Sequence, residues 1–207
     1  MTSLSLSAPA ATHRAAGLRL ATILAEALAS YDAVTGSHSY AVGALSARIA
    51  ARAGMDAEQV ELVGIAGELH DVGKLAVPRG LLNKPDPLAE EERLVLERHP
   101  VLGFRMLDAL GLQPLATWVL HHHERWDGTG YPHRIAADDI PLAARVLLVA
   151  DAYDAMTSDR AYRPALSHER ALAELERGAG SQFDPELVSA LRAEIDRPHL
   201  VAVSSRA

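Results

Sequence analysis

Residues 121–132 of the chain read HHHERWDGTGYP, in which three adjacent histidines precede two glycines and a proline. Successive residues on a helix point about 100° apart, so neighbouring histidines converge on one ion only where a helix ends and the chain bends. Asp127, Gly128, Gly130 and Pro132 predict such a bend. Neutral imidazole is the commonest metal ligand in proteins. The stretch therefore predicts a metal site at a helix end, with a solvated loop rich in histidine as the alternative.

The composition predicts one all-helical domain. The chain has 207 residues, of which 49% are hydrophobic and 4% aromatic, with alanine and leucine dominant, and strand-like alternation is scarce. It contains no cysteine, so disulfides, thiolate ligands and cysteine nucleophiles are excluded, which suits the reducing cytoplasm. A net charge of −7 argues against a DNA or RNA binder. No stretch reaches the roughly 18–20 apolar residues of a membrane span, so no membrane partner is expected.

Apolar periodicity and capping signals predict where the helices lie. Residues 1–12 are expected to form a disordered leader, 13–30 an N-terminal helix, 31–197 the main domain and 198–207 a C-terminal tail. A break is predicted at residues 32–36, and residues 75–88 are expected to be mostly loop because they carry three prolines and a glycine. The helices predicted after the first span 37–53, 56–70, 89–99, 101–110, 114–122, 141–158, 167–177 and 184–195.

Several polar residues lie inside or at the ends of the apolar segments that are predicted to form helices. A histidine near a helix C-terminus has an ordinary explanation, because it interacts favourably with the helix dipole. Asp151 has none so simple, since a buried carboxylate must be paired, hydrogen-bonded or bound to a metal. Taken together, these residues predict a joint metal site. They are His38, His70-Asp71, His99, His122-His123 and Asp151.

The donor types indicate which metals and which chemistry to expect. Imidazole and carboxylate without thiolate suit iron, manganese, zinc or nickel rather than calcium or magnesium. Six or so ligands are too many for one catalytic ion that keeps an open position, but they fit two metals about 3.5–4 Å apart, which favour in-line displacement at phosphorus. Lys74, Arg160 and Arg163 are cations near these ligands in the sequence, as a phosphate diester substrate requires.

In their order along the chain, these motifs closely resemble those of the HD-GYP family, a branch of the HD phosphohydrolase superfamily whose members are typically bacterial cyclic di-GMP phosphodiesterases. The likeness runs from about Tyr31 to Val188. It implies a single all-α HD-type domain with a metal centre in the helix bundle. The residues that carry the likeness are His70-Asp71 with Gly73-Lys74, His99-Pro100, His122-His123-Glu124 with the stretch to Pro132, and Val149-Ala150-Asp151.

Position by position, the resemblance implies a role for each site residue. The implied metal ligands are His38, His70, Asp71, His99, His122, His123 and Asp151. Asp71 would bridge two divalent metals, commonly iron and sometimes manganese in the family. Lys74 would contact the scissile phosphate, and Arg160 and Arg163 would hold substrate phosphates. Tyr131 would lie beside the substrate.

This sequence departs from the family pattern at a few positions. Val34 stands where some members carry a glutamate that helps to hold a third metal, so two metals are expected here. Ala41 replaces a usual arginine, which could weaken a substrate or structural contact. His121 has no counterpart among the family's ligands and is expected at the surface or behind the ligands.

The implied reaction is attack of a bridging hydroxide on one phosphorus of cyclic di-GMP, with Asp71 and Lys74 as the catalytic residues. The product would be linear pGpG, and further hydrolysis to GMP is left open. Asp154, one turn from Asp151, either orients a ligand or forms a surface salt bridge. Two alternatives remain: an HD-type hydrolase of another nucleotide such as cyclic GMP-AMP, and a non-catalytic cyclic di-GMP-binding or interaction module. A homodimer or a signalling partner protein is also left open.

Overall fold

A computed structural model describes residues 8–31, 33–84, 86–159 and 164–197. Within these ranges the regular elements are helices, apart from one isolated bridge between Ala179 and Phe183, which confirms the predicted all-α class. The α-helices are α1 (Ala8–Tyr31), α2 (Ala33–Arg52), α3 (Ala57–Leu69), α4 (Arg79–Leu82), α5 (Glu90–Leu96), α6 (His99–Ala109), α7 (Leu115–Leu120), α8 (Leu142–Thr157), α9 (His168–Gly178) and α10 (Pro185–Ile195). Two short 3-10 helices span Val72–Ala76 and Ala137–Asp139.

Capping side chains set several helix boundaries close to their predicted positions. Asp56 accepts a hydrogen bond from the backbone N–H of Gln59, whose side chain accepts from the Asp56 N–H in return. This reciprocal pair satisfies two donors that no helical carbonyl can reach. Asp184 caps α10 in a similar way, with proline at the first helical position. Gly54, which directly follows the helix predicted over residues 37–53, has a φ of 81°, which glycine adopts without strain.

The first helix and the predicted leader differ from expectation. Helix α1 begins at Ala8 rather than at His13, so residues 8–12 are helical where a disordered leader was expected. Alanine has the highest helix propensity, and Pro9 is tolerated because the first turn needs no N–H donor. Residues 1–7 and the predicted tail at 198–207 lie outside the described residues.

The predicted break at residues 32–36 is wrong for most of its length. Helix α2 already begins at Ala33, and Asp32 is not among the described residues. A Cβ atom on Gly36 would lie 2.5 Å from the Cβ of Ala29. Gly36 therefore lets α1 and α2 pack closely, instead of ending a helix. Residues 75–88 are also less irregular than predicted, because they contain α4 and the end of a 3-10 helix.

Helix α8 runs through the core and sets the position of the centre. It packs against α2, α3, α7, α9 and α10, and most of its apolar side chains are fully buried, including Val146, Leu147 and Val149. Burial of this kind contributes about 25 cal/mol per Å² of apolar surface. Asp151 and Asp154 lie toward the C-terminal end of the same helix, so the packing of α8 also positions two carboxylates. No helix among the described residues is long and apolar enough to cross a bilayer.

Candidate metal centre

Three histidines at helix ends make the same local contact, which determines which ring nitrogen is free. In each case Nδ1–H donates to the backbone carbonyl three residues earlier: His70 to Gly67 at 2.6 Å, His99 to Leu96 at 2.8 Å and His122 to Val119 at 2.6 Å. These carbonyls lie in the last turns of their helices, where intrahelical donors run out. Because a carbonyl can only accept, this contact places the ring proton on Nδ1 and leaves a lone pair on Nε2.

The three Nε2 atoms gather around one buried carboxylate. Asp71 is 2% exposed, and its Oδ2 lies 3.4 Å from His70 Nε2 while its Oδ1 lies 3.3 Å from His99 Nε2. His99 Nε2 in turn lies 3.3 Å from His122 Nε2. His70 Nε2 has no hydrogen-bond partner within the part of the chain that the structure describes. Buried lone pairs that face one another and a carboxylate are what a bound cation would satisfy, so the residues fit a metal.

A second arrangement joins His38 to two carboxylates of helix α8. His38 Nε2 lies 3.0 Å from Asp151 Oδ1, and Nδ1 lies 2.6 Å from Asp154 Oδ2. The side chain of Asp154 is only 14% exposed, so the surface salt bridge considered for it is not what the structure contains. A carboxylate that holds one imidazole nitrogen orients the other nitrogen, as in many metal sites. Asp151 Oδ1 also lies 4.0 Å from His70 Nε2, which links this arrangement to the first.

The structure brings all seven predicted metal ligands into one centre. His123 completes it, with its ring centroid 5.0 Å from that of His99 and 4.1 Å from that of His122. The donor atoms fall into two compact groups, His38-His70-Asp71 and His99-His122-His123, and Asp151 lies beside the first. These groups are candidate sites for metal ions. Whether each residue ligates a metal stays a prediction.

Charge interactions hold the two carboxylates of the centre in their ionised form. Burial alone would raise the pKa of Asp71, but the neighbouring Lys74 ammonium opposes this effect, and that pKa lies well below its usual range. The Lys74 ammonium donates to Asp71 Oδ2 at 2.5 Å. Burial likewise works against ionisation of Asp151, yet the hydrogen bond from His38 outweighs it and lowers the pKa of Asp151 to about 2. Both carboxylates are therefore available as anionic ligands at neutral pH.

The histidines of the centre differ in pKa because their surroundings differ. Burial lowers the pKa of His122 well below its usual value and that of His123 to about 3, so both rings are neutral. Burial also disfavours protonation of His38, but the hydrogen bonds to Asp151 and Asp154 outweigh it and raise the pKa to about 9. A proton on His38 competes with a metal ion, so metal binding should release protons and tighten as pH rises.

The loop after the histidines folds back over His123. The ring of Tyr131 stacks on that of His123 with centroids 4.8 Å apart, and the Tyr131 N–H donates to the His123 carbonyl at 3.3 Å. A Cβ atom on Gly130 would lie 2.5 Å from that same carbonyl oxygen, so this position requires glycine. Burial raises the pKa of the Tyr131 phenol, which stays neutral and is able to donate a hydrogen bond.

The structure describes two of the four predicted substrate-binding residues. Lys74 lies against Asp71 with its side chain 25% exposed, and Tyr131 lies against His123, so both border the centre. Arg160 and Arg163 lie outside the described residues, and their roles stay predictions. Glu124, for which the sequence predicted no role, is 1% exposed and accepts the His133 N–H at 2.6 Å. The signal that could have indicated it was a carboxylate placed directly after the histidine run.

A close backbone contact holds Asp71 beside His99, and Gly73→Ala should disrupt it. A Cβ atom on Gly73 would overlap the His99 carbonyl oxygen and lie 2.6 Å from the Gly103 nitrogen. Overpacking against rigid backbone destabilises by about 1–3 kcal/mol, so we expect a loss of unfolding free energy in that range and weaker metal binding. Urea denaturation and metal analysis would measure both. Gly80→Ala is the matched control, since no atom lies within 4 Å of its added Cβ; equal midpoints for the two variants would contradict the expectation.

Comparisons with known proteins show the family to which the chain belongs. The family model described as the HD domain matches residues 22–187. The chain belongs to the HD domain family, and the HD-GYP resemblance drawn from its motifs is confirmed. The cyclic di-GMP phosphodiesterase response regulator RpfG of Xanthomonas campestris is 38% identical over 180 residues, which cover 84% of this chain and 48% of that protein. The 3'3'-cGAMP-specific phosphodiesterase 2 of Vibrio cholerae is 34% identical over 171 residues, which cover 81% of this chain and 33% of that protein.

These relatives are longer than this chain, which spans half or less of their length. Among solved structures, Bd1817, a HDG"Y"P protein from Bdellovibrio bacteriovorus, superposes with a TM-score of 0.65 over 79% of this chain and 53% of that one. The sequences of the two are 20% identical, so the likeness concerns the fold. It agrees with the predicted single helical HD-type architecture.

Proposed function

We propose that this chain is a metal-dependent phosphodiesterase that hydrolyses cyclic di-GMP to linear pGpG. The observation that carries the proposal is the position of Asp71, whose two oxygens face His70 Nε2 at 3.4 Å and His99 Nε2 at 3.3 Å. One carboxylate therefore faces both groups of histidines, as a bridging ligand between two metals would. Relatives named as cyclic di-GMP phosphodiesterases support the choice of substrate.

The donor set suits two divalent metals of the iron, manganese, zinc or nickel class, and the HD-GYP resemblance favours iron first and manganese as the alternative. His38, His70 and Asp151 would hold one, His99, His122 and His123 the other, and Asp71 would contact both. Bound divalent ions supply an activated water and the positive charge that displacement at phosphorus requires.

The protein's own residues orient the substrate around this centre. The Lys74 ammonium borders Asp71 and can donate to a non-bridging phosphate oxygen, where charge grows as the 3′ oxygen leaves. The buried carbonyl contacts of His70, His99 and His122 hold their rings in place without help from substrate. The Tyr131 ring stacks on His123 at the edge of the site, and its neutral hydroxyl can donate a hydrogen bond. Whether hydrolysis continues to GMP is a separate question that the same experiment answers.

The test is incubation of the iron- or manganese-reconstituted chain with cyclic di-GMP under reducing conditions, followed by chromatography of the nucleotides. We expect pGpG to accumulate in protein that carries about two metals per chain. The His99→Ala variant, which removes one donor from the second group, is the negative control. No turnover at full metal content would overturn the proposal and favour a cyclic di-GMP-binding or interaction module.

Cyclic GMP-AMP is the second candidate substrate, because a relative at 34% identity is named as specific for it. Parallel reactions with the two dinucleotides at equal concentration separate the candidates by their ratio of kcat/KM. A ratio that favours cyclic GMP-AMP would keep the chemistry and replace the substrate. The cytoplasmic location, proposed from the cysteine-free sequence, and a homodimer or a signalling partner protein stay predictions.

A further inference from the structure

A third group of potential ligands lies next to the centre and is not part of it. His121, Glu124 and His133 each offer a ligand atom, and these atoms lie within 4.8 Å of one another. The two imidazole rings have their centroids 5.2 Å apart. His121 precedes the paired histidines of the centre, and His133 follows the Tyr131-Pro132 turn. The three residues thus connect the end of α7 to the far side of the loop.

Two of these groups carry polar atoms that are buried and unsatisfied. The Glu124 side chain is fully buried, and its Oε1 accepts the His133 N–H at 2.6 Å. Its Oε2 has no hydrogen-bond partner among the described residues, and neither has His121 Nδ1. The His121 nitrogen lies 3.7 Å from Glu124 Oε1, which is too far for a hydrogen bond. A buried carboxylate oxygen and an imidazole nitrogen left unpaired side by side are costly unless a further group satisfies them.

We propose that His121, Glu124 and His133 form a separate site for a single divalent ion of the zinc class. Two imidazoles and one carboxylate are the protein donor set of open zinc sites, in which water takes the fourth position. His133 is exposed, so water and the ion can reach the site. Imidazole donors favour zinc over calcium or magnesium. Zinc–ligand distances are about 2.0–2.2 Å, and the exposed position of His133 leaves room for its side chain to adjust to them.

The location of the site indicates what the ion would do. It would tie the C-terminal end of α7 to the residue after Pro132, and so fix the loop that places Tyr131 against His123. Because His121, Glu124 and His133 are not among the ligands assigned to the centre, the ion's role is to order the loop. We therefore expect zinc to raise the melting temperature of the protein, and loss of the site to raise KM for the dinucleotide more than it lowers kcat.

The test counts zinc ions in variants of the full chain. After equilibrium dialysis against Zn²⁺, His133→Ala and Glu124→Gln should each hold about one ion fewer than the unmodified protein. His168→Ala is the matched control, since His168 is exposed and contacts Tyr153 elsewhere in the fold; it should bind as many ions as the unmodified protein. Cobalt substitution adds a spectroscopic measure, because the absorption of low-coordinate Co²⁺ should fall by one site in His133→Ala and in Glu124→Gln, and should stay unchanged in His168→Ala.

The count is repeated with Asp71→Asn in every protein, which impairs the centre and leaves the third group intact. The same difference of one ion should persist, whatever the outcome of the cyclic di-GMP assay. Equal zinc content and equal cobalt spectra with and without His133 would overturn the site. If Glu124→Gln fails to fold, the exposed His133→Ala variant decides alone.

Discussion

Asp71→Asn is expected to empty much of the metal centre and to reduce hydrolysis of cyclic di-GMP to the background rate. The two oxygens of Asp71 face histidines of both groups, and an amide would replace one of them with an N–H donor that cannot ligate a metal. The substitution also removes the anionic charge that offsets two divalent ions in a buried site. Elemental analysis should show metal content falling from about two ions per chain to one or fewer.

The control for this variant is Asp139→Asn. Asp139 is exposed and lies in the 3-10 helix Ala137–Asp139, so the same chemical change there should leave metal content and turnover unaltered. Circular dichroism of both proteins establishes that the helices are intact. An Asp71→Asn protein that retained two metals and full turnover would rule out a bridging role for this carboxylate.

Lys74→Ala is expected to separate metal binding from turnover. Lys74 is the cation that neutralises Asp71 in the protein alone, through a contact of 2.5 Å. Once divalent ions neutralise that carboxylate, the ammonium is available to the phosphate. Removing one donor to developing charge typically lowers kcat by about 10²–10³. We therefore expect a loss of that size in kcat with the metals still bound, measured by steady-state kinetics and elemental analysis on the same sample.

Lys84→Ala provides a closely matched comparison. The two lysine side chains are similarly exposed, 25% for Lys74 and 30% for Lys84, but Lys84 pairs with Glu92 rather than with the centre. Its removal should change kcat little, because the Lys84 ammonium pairs with Glu92 and does not border the centre. If Lys74→Ala kept full activity, or lost its metals, the role assigned to its ammonium group would be wrong.

The candidate metal ligands could be selected from local sequence signals. His70 and His122 follow the ends of α3 and α7, whereas His99, which was predicted at the end of a helix, begins α6 shortly after α5 ends. Such helix boundaries are indicated by features a few residues long. Asp151 stood out because a carboxylate inside an apolar helix requires a partner. The same kind of local signal correctly placed the caps at Asp56 and Asp184, since a capping side chain acts only on the adjacent turn.

Close contacts between helices could not be predicted from local signals of this kind. Glycine commonly ends helices, so Gly36 was interpreted as part of a break, although it lies inside α2 and packs on Ala29. The hydrophobic pattern of one segment gives no information about the residue on another helix whose close contact requires glycine. Asp154 was left between two interpretations for the same reason, because its contact with His38 joins residues 116 positions apart.

The sequence by itself therefore determined the helical class, the donor residues and their chemical type, because periodicity, capping and ligand identity are properties of short segments. Only the tertiary structure decided which oxygen of Asp71 faces which histidine, and that Asp154 holds His38. It also decided that His133 meets His121 and Glu124 across the loop. These are relations between segments whose distances depend on how α2, α3, α6, α7 and α8 pack, and packing is a property of the whole core.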